Sequence, residues 1–467
     1  MTKIGLEIHC QLTRLESKLF CTCKADYRNM PPNSNICPVC AGLPGSLPIL
    51  NKKAVEKGAM ISLALGCKIP EKISFFRKNY FYPDLPKNFQ ITQYNAYGPT
   101  SIGSDGAVQI EGKEIRIRRI QLEEDPGRLV YEGSSEKTQI TLVDYNRAGT
   151  PLVEIVTEPD FENPRQVRIF LNVLADLVEN LGVSDPYLEG AMRVDGNISV
   201  ENGNRVEIKN VGSFRDIEKA LHFEITRQHS LVERDIEVAA ETRHWDEARK
   251  ITVSARSKEE EQDYRYLPEA DIPVIAITPG QIGKLKEQMP ESIAAKRERY
   301  VKRYGIPPQV AEVLSSDKFY SELFEEAHTE ANAKEIANII TTDLMGFADT
   351  REKKMDLKVA SKHLSDLADA IVGGRLTRNS GKAALYEMIK TGRSLDEVVS
   401  SLDLGSLSDA SSLEKIIEDV FKEEEKAVAE ARQNPATVNY LVGKVMRKTK
   451  GKADPATTLE ILRKKLA

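Results

Sequence analysis

The sequence predicts an α+β fold: an N-terminal domain on a large, mainly antiparallel sheet, then an all-helical domain and a small helical tail domain. Three observations predict it. Short runs of alternating apolar and polar residues, cut by Gly and Pro, fill the chain up to about residue 285. From PESIAAKRERYVKRYG (290–305) onward every patterned segment is helical. SLDLGSLSDASS (401–412) then reads as a linker. A chain of 467 residues is too long for one core, and the expected boundaries are 1–288, 289–400 and 401–467.

MTKIGLEIHC enters directly into an alternating run, so no signal peptide is expected. As a strand, GLEIHCQL sends Glu7 and His9 to one face. FCTCKADYRNMPPNSNICPVC (20–40) next bunches Cys21, Cys23, Cys37 and Cys40, four of the six cysteines. RKNYFYPDLPKNFQITQY (77–94) is aromatic and basic, fit either to stack a base and hold phosphates or to cover the sheet. EIRIRRIQL reads as a half-buried strand ending in Glu123, Glu124 and Asp125. PRQVRIFLNVLADLVENLG (164–182) begins a helix with Pro and closes it on Gly182; SFRDIEKALHFEITRQHSLVE (213–233) begins one on a Ser cap. MRVDGN and VEIKN contribute Asp195, Glu207 and Lys209. DIPVIAITPGQI (271–282) is the last strand-like run, and Pro307–Pro308 and Gly373–Gly374 break the helices beyond it.

With 40% hydrophobic and 29% charged residues, the composition is that of a soluble globular protein. No apolar run approaches the roughly 18 residues of a membrane span. Six cysteines bunched at one end exclude a secreted disulfide scaffold, and a cytoplasmic protein is expected. A net charge of −5 argues against a generic nucleic-acid binder. VGKVMRKTKGK (442–452), however, places Lys444, Arg447, Lys448, Lys450 and Lys452 together near the tail, either as a local phosphate contact or as a solvated helix face.

C-x-C followed by C-x-x-C supplies four thiolates, the closed tetrahedral set of a structural zinc. No βαβ context supports a redox pair, and an open catalytic zinc would find no His in the stretch and only Asp26 as a nearby carboxylate; free thiols are the alternative. Walker, dinucleotide, zincin and nucleophile-elbow motifs are absent, and GGRLTRNSGKA (373–383) has the wrong spacing for a phosphate loop. Acids on short strands remain, with one histidine. Crowded carboxylates repel, and a hard divalent ion such as Mg²⁺ relieves them; surface solvation is the plainer alternative for each acid alone.

GLEIHCQL, RKNYFYPDLPKNFQITQY, LEEDPGR, LVDYNRAGTPLVEIVTEPD, MRVDGNIS, EIKNVGSFRDIEKAL, ETRHWDEA, DYRYLPEADIP and NPATVNYLVGKVMRKTKGKADP resemble the B subunits of glutamyl-tRNA(Gln)/aspartyl-tRNA(Asn) amidotransferases, from residue 4 to the C-terminus. The resemblance implies a cradle-shaped catalytic domain. It implies ATP-dependent phosphorylation of the side-chain carboxylate on a misacylated tRNA, then amidation by ammonia from a separate glutaminase A subunit, with a small C subunit completing a heterotrimer. By motif position it assigns metal and nucleotide chemistry to Glu7, His9, Glu124, Asp195 and Glu207, with Mg²⁺ on Glu7, His9 and Glu124. Lys78, Tyr80, Arg193 and Lys209 become phosphate or substrate contacts, and the basic tail residues become tRNA contacts. Cys10 replaces the family's common Val, and EEDPGR its usual EEDAGK. The archaeal paralogue's inserted domain is not expected, because only about fifteen residues separate DYRYLPEADIP from the first long helix. The reading of a different class is a non-enzymatic zinc-containing tRNA-binding subunit whose acids are surface residues.

Overall fold

The computed structural model describes residues 2–95, 98–131, 140–201, 203–255, 261–404, 410–433, 437–449 and 453–466. The chain divides into two compact units, Met1–Pro290 and Glu291–Ala467.

The first unit contains β1 (Lys3–Gln11), β2 (Lys72–Ile73), β3 (Phe76–Asn79), β4 (Phe89–Thr92), β5 (Gly103–Ile110), β6 (Lys113–Glu124), β7 (Arg128–Tyr131) and β8 (Thr141–Asp144). It continues through β9 (Pro151–Thr157), β10 (Met192–Ser199), β11 (Val206–Val211), β12 (Glu241–Asp246), β13 (Ile251–Ser254), β14 (Leu267–Pro268) and β15 (Ile275–Ala276). Eleven of these form one sheet in the order β13-β12-β11-β10-β1-β9-β6-β4-β3-β14, with β5 paired to β6. Only β11 and β12 run parallel in it, so the expected antiparallel α+β architecture holds.

Alternation gives the sheet two different faces. Along β1, Leu6, Ile8 and Cys10 are buried while Glu7 and His9 between them face the other way. The apolar face is covered by α1 (Lys52–Ala64), α2 (Pro164–Asn180) and α3 (Phe214–Val232). Each helix starts where a side chain caps it: Asn51, Asn163 and Ser213 accept from the backbone N–H three residues on. α2 carries Pro at its start and ends before Gly182, whose φ of +62° only a residue without Cβ adopts readily. Gly196, opposite Leu6, lets α3 close on the sheet, since a Cβ there would meet Ile217 Cδ1 at 3.1 Å. At roughly 1.5–3 kcal/mol for each large apolar side chain buried, this layer fixes the register. A one-residue slip of β1 would put Glu7 under the helices and Leu6 in solvent.

The last strands return to this sheet through an ion pair. Arg77 on β3 grips Glu269 just past β14 in a fork, Nε–Oε2 at 2.7 Å and Nη2–Oε1 at 2.8 Å. Among the described residues, no helix is long and apolar enough to cross a membrane.

The second unit is helical. Ser292 caps the helix Ile293–Tyr304, and Gly305 ends it in the left-handed region, as PESIAAKRERYVKRYG predicts. Two separate apolar cores lie within this unit. One is centred on Tyr300, Phe324, Leu364 and Leu385, the other on Leu413, Ile417, Leu441 and Leu462. Part of the predicted linker, residues 405–409, lies outside the described residues, as do Lys450 and Lys452.

Candidate active site

The polar face of the sheet carries the site. β1 lies between β10 and β9, with Glu7 opposite Asp195 and His9 opposite both Arg193 and Glu154. The pairing shifts between Val194 and Gly196, so that Lys209 and Asn210 of β11 together oppose Asp195, a bulge on β11. Donor atoms of Glu7, His9 and Asp195 all come within 4.8 Å of one another. Lys209 Nζ stands 3.5 Å from Asp195 and 3.7 Å from Glu207. The sheet thus gathers Glu7, His9, Asp195, Glu207 and Lys209, which lie up to about 200 residues apart in sequence.

Glu7, Glu207, Lys209 and Lys78 line a cavity of about 950 Å³. Its aromatic wall includes Tyr94 and Tyr266, stacked with centroids 3.8 Å apart, and Tyr264, over which Lys78 Nζ sits 4.5 Å from the ring centre. Tyr80 packs edge-on against Tyr264. Arg118, Arg119 and Arg205 add cations along the rim. Within the 77–94 stretch, β3 and β4 extend the sheet, while Lys78 and Tyr94 line the cavity.

Strand alternation separates the two glutamates at the end of β6. Glu123 lies in the cavity wall, 3.6 Å from His9 Nε2, with Thr92 donating to it at 3.2 Å. Glu124, the residue expected beside Mg²⁺, points to the other face. There it is held by Lys87 and by the Ile91 N–H at 2.9 Å, and it is not among the donors grouped with Glu7 and His9. Arg193 is drawn to Asp125, donating at 2.6 Å, and Gln11 donates to the same carboxylate at 2.6 Å. Sequence reasoning passed over Glu123 as a separate candidate and missed Glu154 and the Tyr94–Tyr266 stack. The YRY alternation in DYRYLP is the one local signal that two tyrosines share a face.

Crowding sets the charge states. Burial, reinforced by Glu7 and Glu123, holds Glu154 well above the usual carboxylate range, so it is protonated and hydrogen-bonds Glu7. Burial raises Glu123 to about 7 and Asp195 to about 6. Burial depresses His9 to about 4, leaving a neutral imidazole with a free lone pair at pH 7. For Glu7 burial opposes charge, yet His9, Lys209, the Glu154 hydrogen bond and Lys78 together bring it to about 2; with His9 neutral, Lys209 is the cation that keeps it ionised. Two carboxylates and a neutral imidazole, with more acid beside them, form a donor set that fits a hard divalent cation.

The four cysteines form a second cluster, their sulfurs within 4.8 Å of one another. The Cys37 N–H donates to Cys40 Sγ at 3.2 Å, the turn of a C-x-x-C knuckle. A hydrogen bond from Cys21 pulls the Cys40 thiol down to about 4. Asn33 and Asn35 pin the loop to β8 and the chain just after it, with the Asn35 N–H donating to Asn146 Oδ1 at 2.7 Å and Asn33 Nδ2 to Val143 O at 2.9 Å. The cluster fits zinc by ligand type and proximity. Cys10 and Cys67, set aside as ligands, are buried and apart from it.

The two units also match known proteins. Residues 2–283 match the family described as the GatB/GatE catalytic domain, and residues 322–466 match the GatB domain. The chain belongs to the amidotransferase B-subunit family. The B subunit of the aspartyl/glutamyl-tRNA(Asn/Gln) amidotransferase of Saccharolobus solfataricus is 46% identical, over 100% of this chain and 99% of that protein. Its namesake in Thermotoga maritima is 42% identical and that in Methanosarcina barkeri 40%, each over 99% of this chain and 98% of its own length.

In the tail, Lys444 pairs with Glu424 and Lys448 with Glu423, the latter at 2.6 Å. Arg447 is exposed and makes no ion pair among the described residues. Both lysines are thus engaged in ion pairs within the unit.

Proposed function

We propose that this chain activates and amidates acyl-tRNA within a tRNA-dependent amidotransferase complex. ATP phosphorylates the side-chain carboxylate of glutamyl-tRNA(Gln), aspartyl-tRNA(Asn) or both. Ammonia from a glutaminase A subunit, held with a small C subunit in a heterotrimer, then gives glutaminyl-tRNA(Gln) or asparaginyl-tRNA(Asn). One observation carries this reading: Glu7, which groups with His9 and Asp195, lines a cavity also lined by Lys78, Lys209 and Arg205. Anionic metal donors beside cations suit a nucleoside triphosphate, whose phosphates need both.

A carboxylate is a poor acyl donor because its leaving group is oxide. Its oxygen attacks the γ-phosphorus, the bond to the β,γ-bridging oxygen breaks and ADP departs. Lys78, Lys209 and Arg205 offset charge around the phosphates, and the Tyr94–Tyr266 wall offers the base an apolar face. Mg²⁺, held by Glu7, His9 and Asp195, supplies further neutralisation of the transferring phosphoryl group when bound. Ammonia attacks the acyl-phosphate carbon, phosphate leaves, and the surplus proton on nitrogen goes to a wall carboxylate. Glu123, with its pKa near 7, suits that task. The basic tail, Arg447 foremost, meets the tRNA body. Zinc in the knuckle is structural.

The test is Asp195→Asn in the assembled complex, with ammonium chloride as nitrogen donor so that glutamine hydrolysis is bypassed. ATP-dependent amidation of charged tRNA should fall roughly 1,000-fold, about 4 kcal/mol of barrier. Unchanged amidation removes the site assignment and favours a tRNA-binding subunit whose acids are surface residues.

A further inference from the structure

Lys18 sits between the sheet and the cysteine knuckle, and its environment is unusual. The residue is wholly buried, at 0% exposure. An ammonium in such a place requires a compensating negative charge, yet among the described residues no carboxylate pairs with it. Its Nζ instead donates to the Asn35 carbonyl at 2.8 Å and lies 3.7 Å from Cys40 Sγ. Its backbone N–H donates to the Cys23 carbonyl at 2.8 Å. Lys18 therefore touches both halves of the C-x-C…C-x-x-C set, the first through its main chain and the second through its side chain. Gly149, at φ +87°, completes the enclosure: a Cβ there would lie 3.4 Å from Lys18 Cδ and 3.5 Å from Cys40 Cβ.

We propose that Lys18 is the positioning residue of the zinc site, its ammonium serving as counter-charge and hydrogen-bond donor to the Cys40 thiolate. The proposal rests on the zinc reading of the four cysteines. Zinc with four thiolates carries a net charge of minus two, and a buried cation in contact with one sulfur lowers the electrostatic penalty of enclosing it. The same contact explains how a lysine is tolerated without a carboxylate. Asn35, gripped by Lys18 on one side and Asn146 on the other, transmits the clamp to the segment after β8.

The experiment uses the full chain as purified, with Lys18→Met (similar length, no charge) and Lys18→Gln, which keeps a donor for Asn35 without the charge. Zinc transfer to a chelating dye is timed at fixed pH, and the thiolate-to-metal charge-transfer band is recorded after cobalt substitution. Both variants should release zinc about tenfold faster or more, and the cobalt band should move to lower energy as the sulfur loses its positive neighbour. Should Lys18→Met not fold, Lys18→Gln gives the same readings. Unchanged release overturns the proposal. So does faster release with an unmoved band, which means loosened packing, and so does a Gln variant that behaves as the intact chain. No zinc in the intact chain overturns the zinc reading itself, an outcome distinct from the others.

Discussion

The N-terminal unit holds two groups of side chains able to hold a metal ion, built in opposite ways. The cysteine knuckle takes its four ligands from twenty consecutive residues, 21–40, on a loop pinned by asparagines. The carboxylate–imidazole group takes Glu7 and His9 from one strand and Asp195 from its neighbour, and it borders a large cavity. The knuckle brings four sulfurs within 4.8 Å of one another, the donor set of a closed structural site. The other group faces open space with cations and aromatic rings around it. Ligands supplied by a contiguous loop make a clasp; ligands supplied by several strands of one sheet leave one side of the ion exposed to chemistry.

The sharpest way to break this contrast is Cys37→Ser. Metal analysis should find about one zinc in the intact chain and none in the variant. Thermal unfolding should reveal a large loss of stability, while the protein that remains folded keeps its amidation rate. A fully folded variant with no activity would mean that the clasp takes part in the chemistry.

Next in size is a paired comparison at the end of β6. Glu123→Gln should lower amidation roughly 100-fold, about 2.7 kcal/mol of barrier. Glu124→Gln, which breaks the contact with Lys87, should act mainly on stability. Steady-state amidation together with urea denaturation of both variants decides. The reverse order would restore Glu124 as the metal-side acid.

The smallest effect tests the frame that holds the cavity's tyrosines. Burial raises the pKa of Glu269, but hydrogen bonds from Arg77 outweigh it and bring the folded-state value below the ordinary 4.5. A depressed carboxylate contributes stability above its unfolded pKa and loses it as pH falls through the folded value. Glu269→Gln should therefore lower stability at pH 7 by about 2 kcal/mol. The gap between variant and intact chain should narrow only below about pH 4.5. A gap constant from about pH 7 to about pH 3 means that the pair contributes through shape rather than charge.

Much of this was legible in advance, for identifiable reasons. The capped helices α2 and α3 follow from Pro164, Gly182 and Ser213, whose effects act within one turn. The knuckle follows from ligand spacing, and Glu7 with His9 from the period of a strand. Glu123 and Glu124 show where such reading stops. Adjacent acids look equivalent in a linear pattern, and which one faces His9 depends on how β6 registers against β9 and β9 against β1. Lys18 carried no signal at all, because a lysine in a polar stretch is ordinarily solvated.

By itself, then, the sequence determined the α+β class, the switch to helices near residue 290, the four-cysteine set and the family. Those properties depend on short-range periodicity and on ligand and motif spacing. The tertiary structure alone decided which acids share one cavity, that Glu154 is held protonated against Glu7, and that the buried Lys18 lies against Cys40 Sγ. These depend on strand order and burial, and burial becomes defined only when distant segments pack and exclude water.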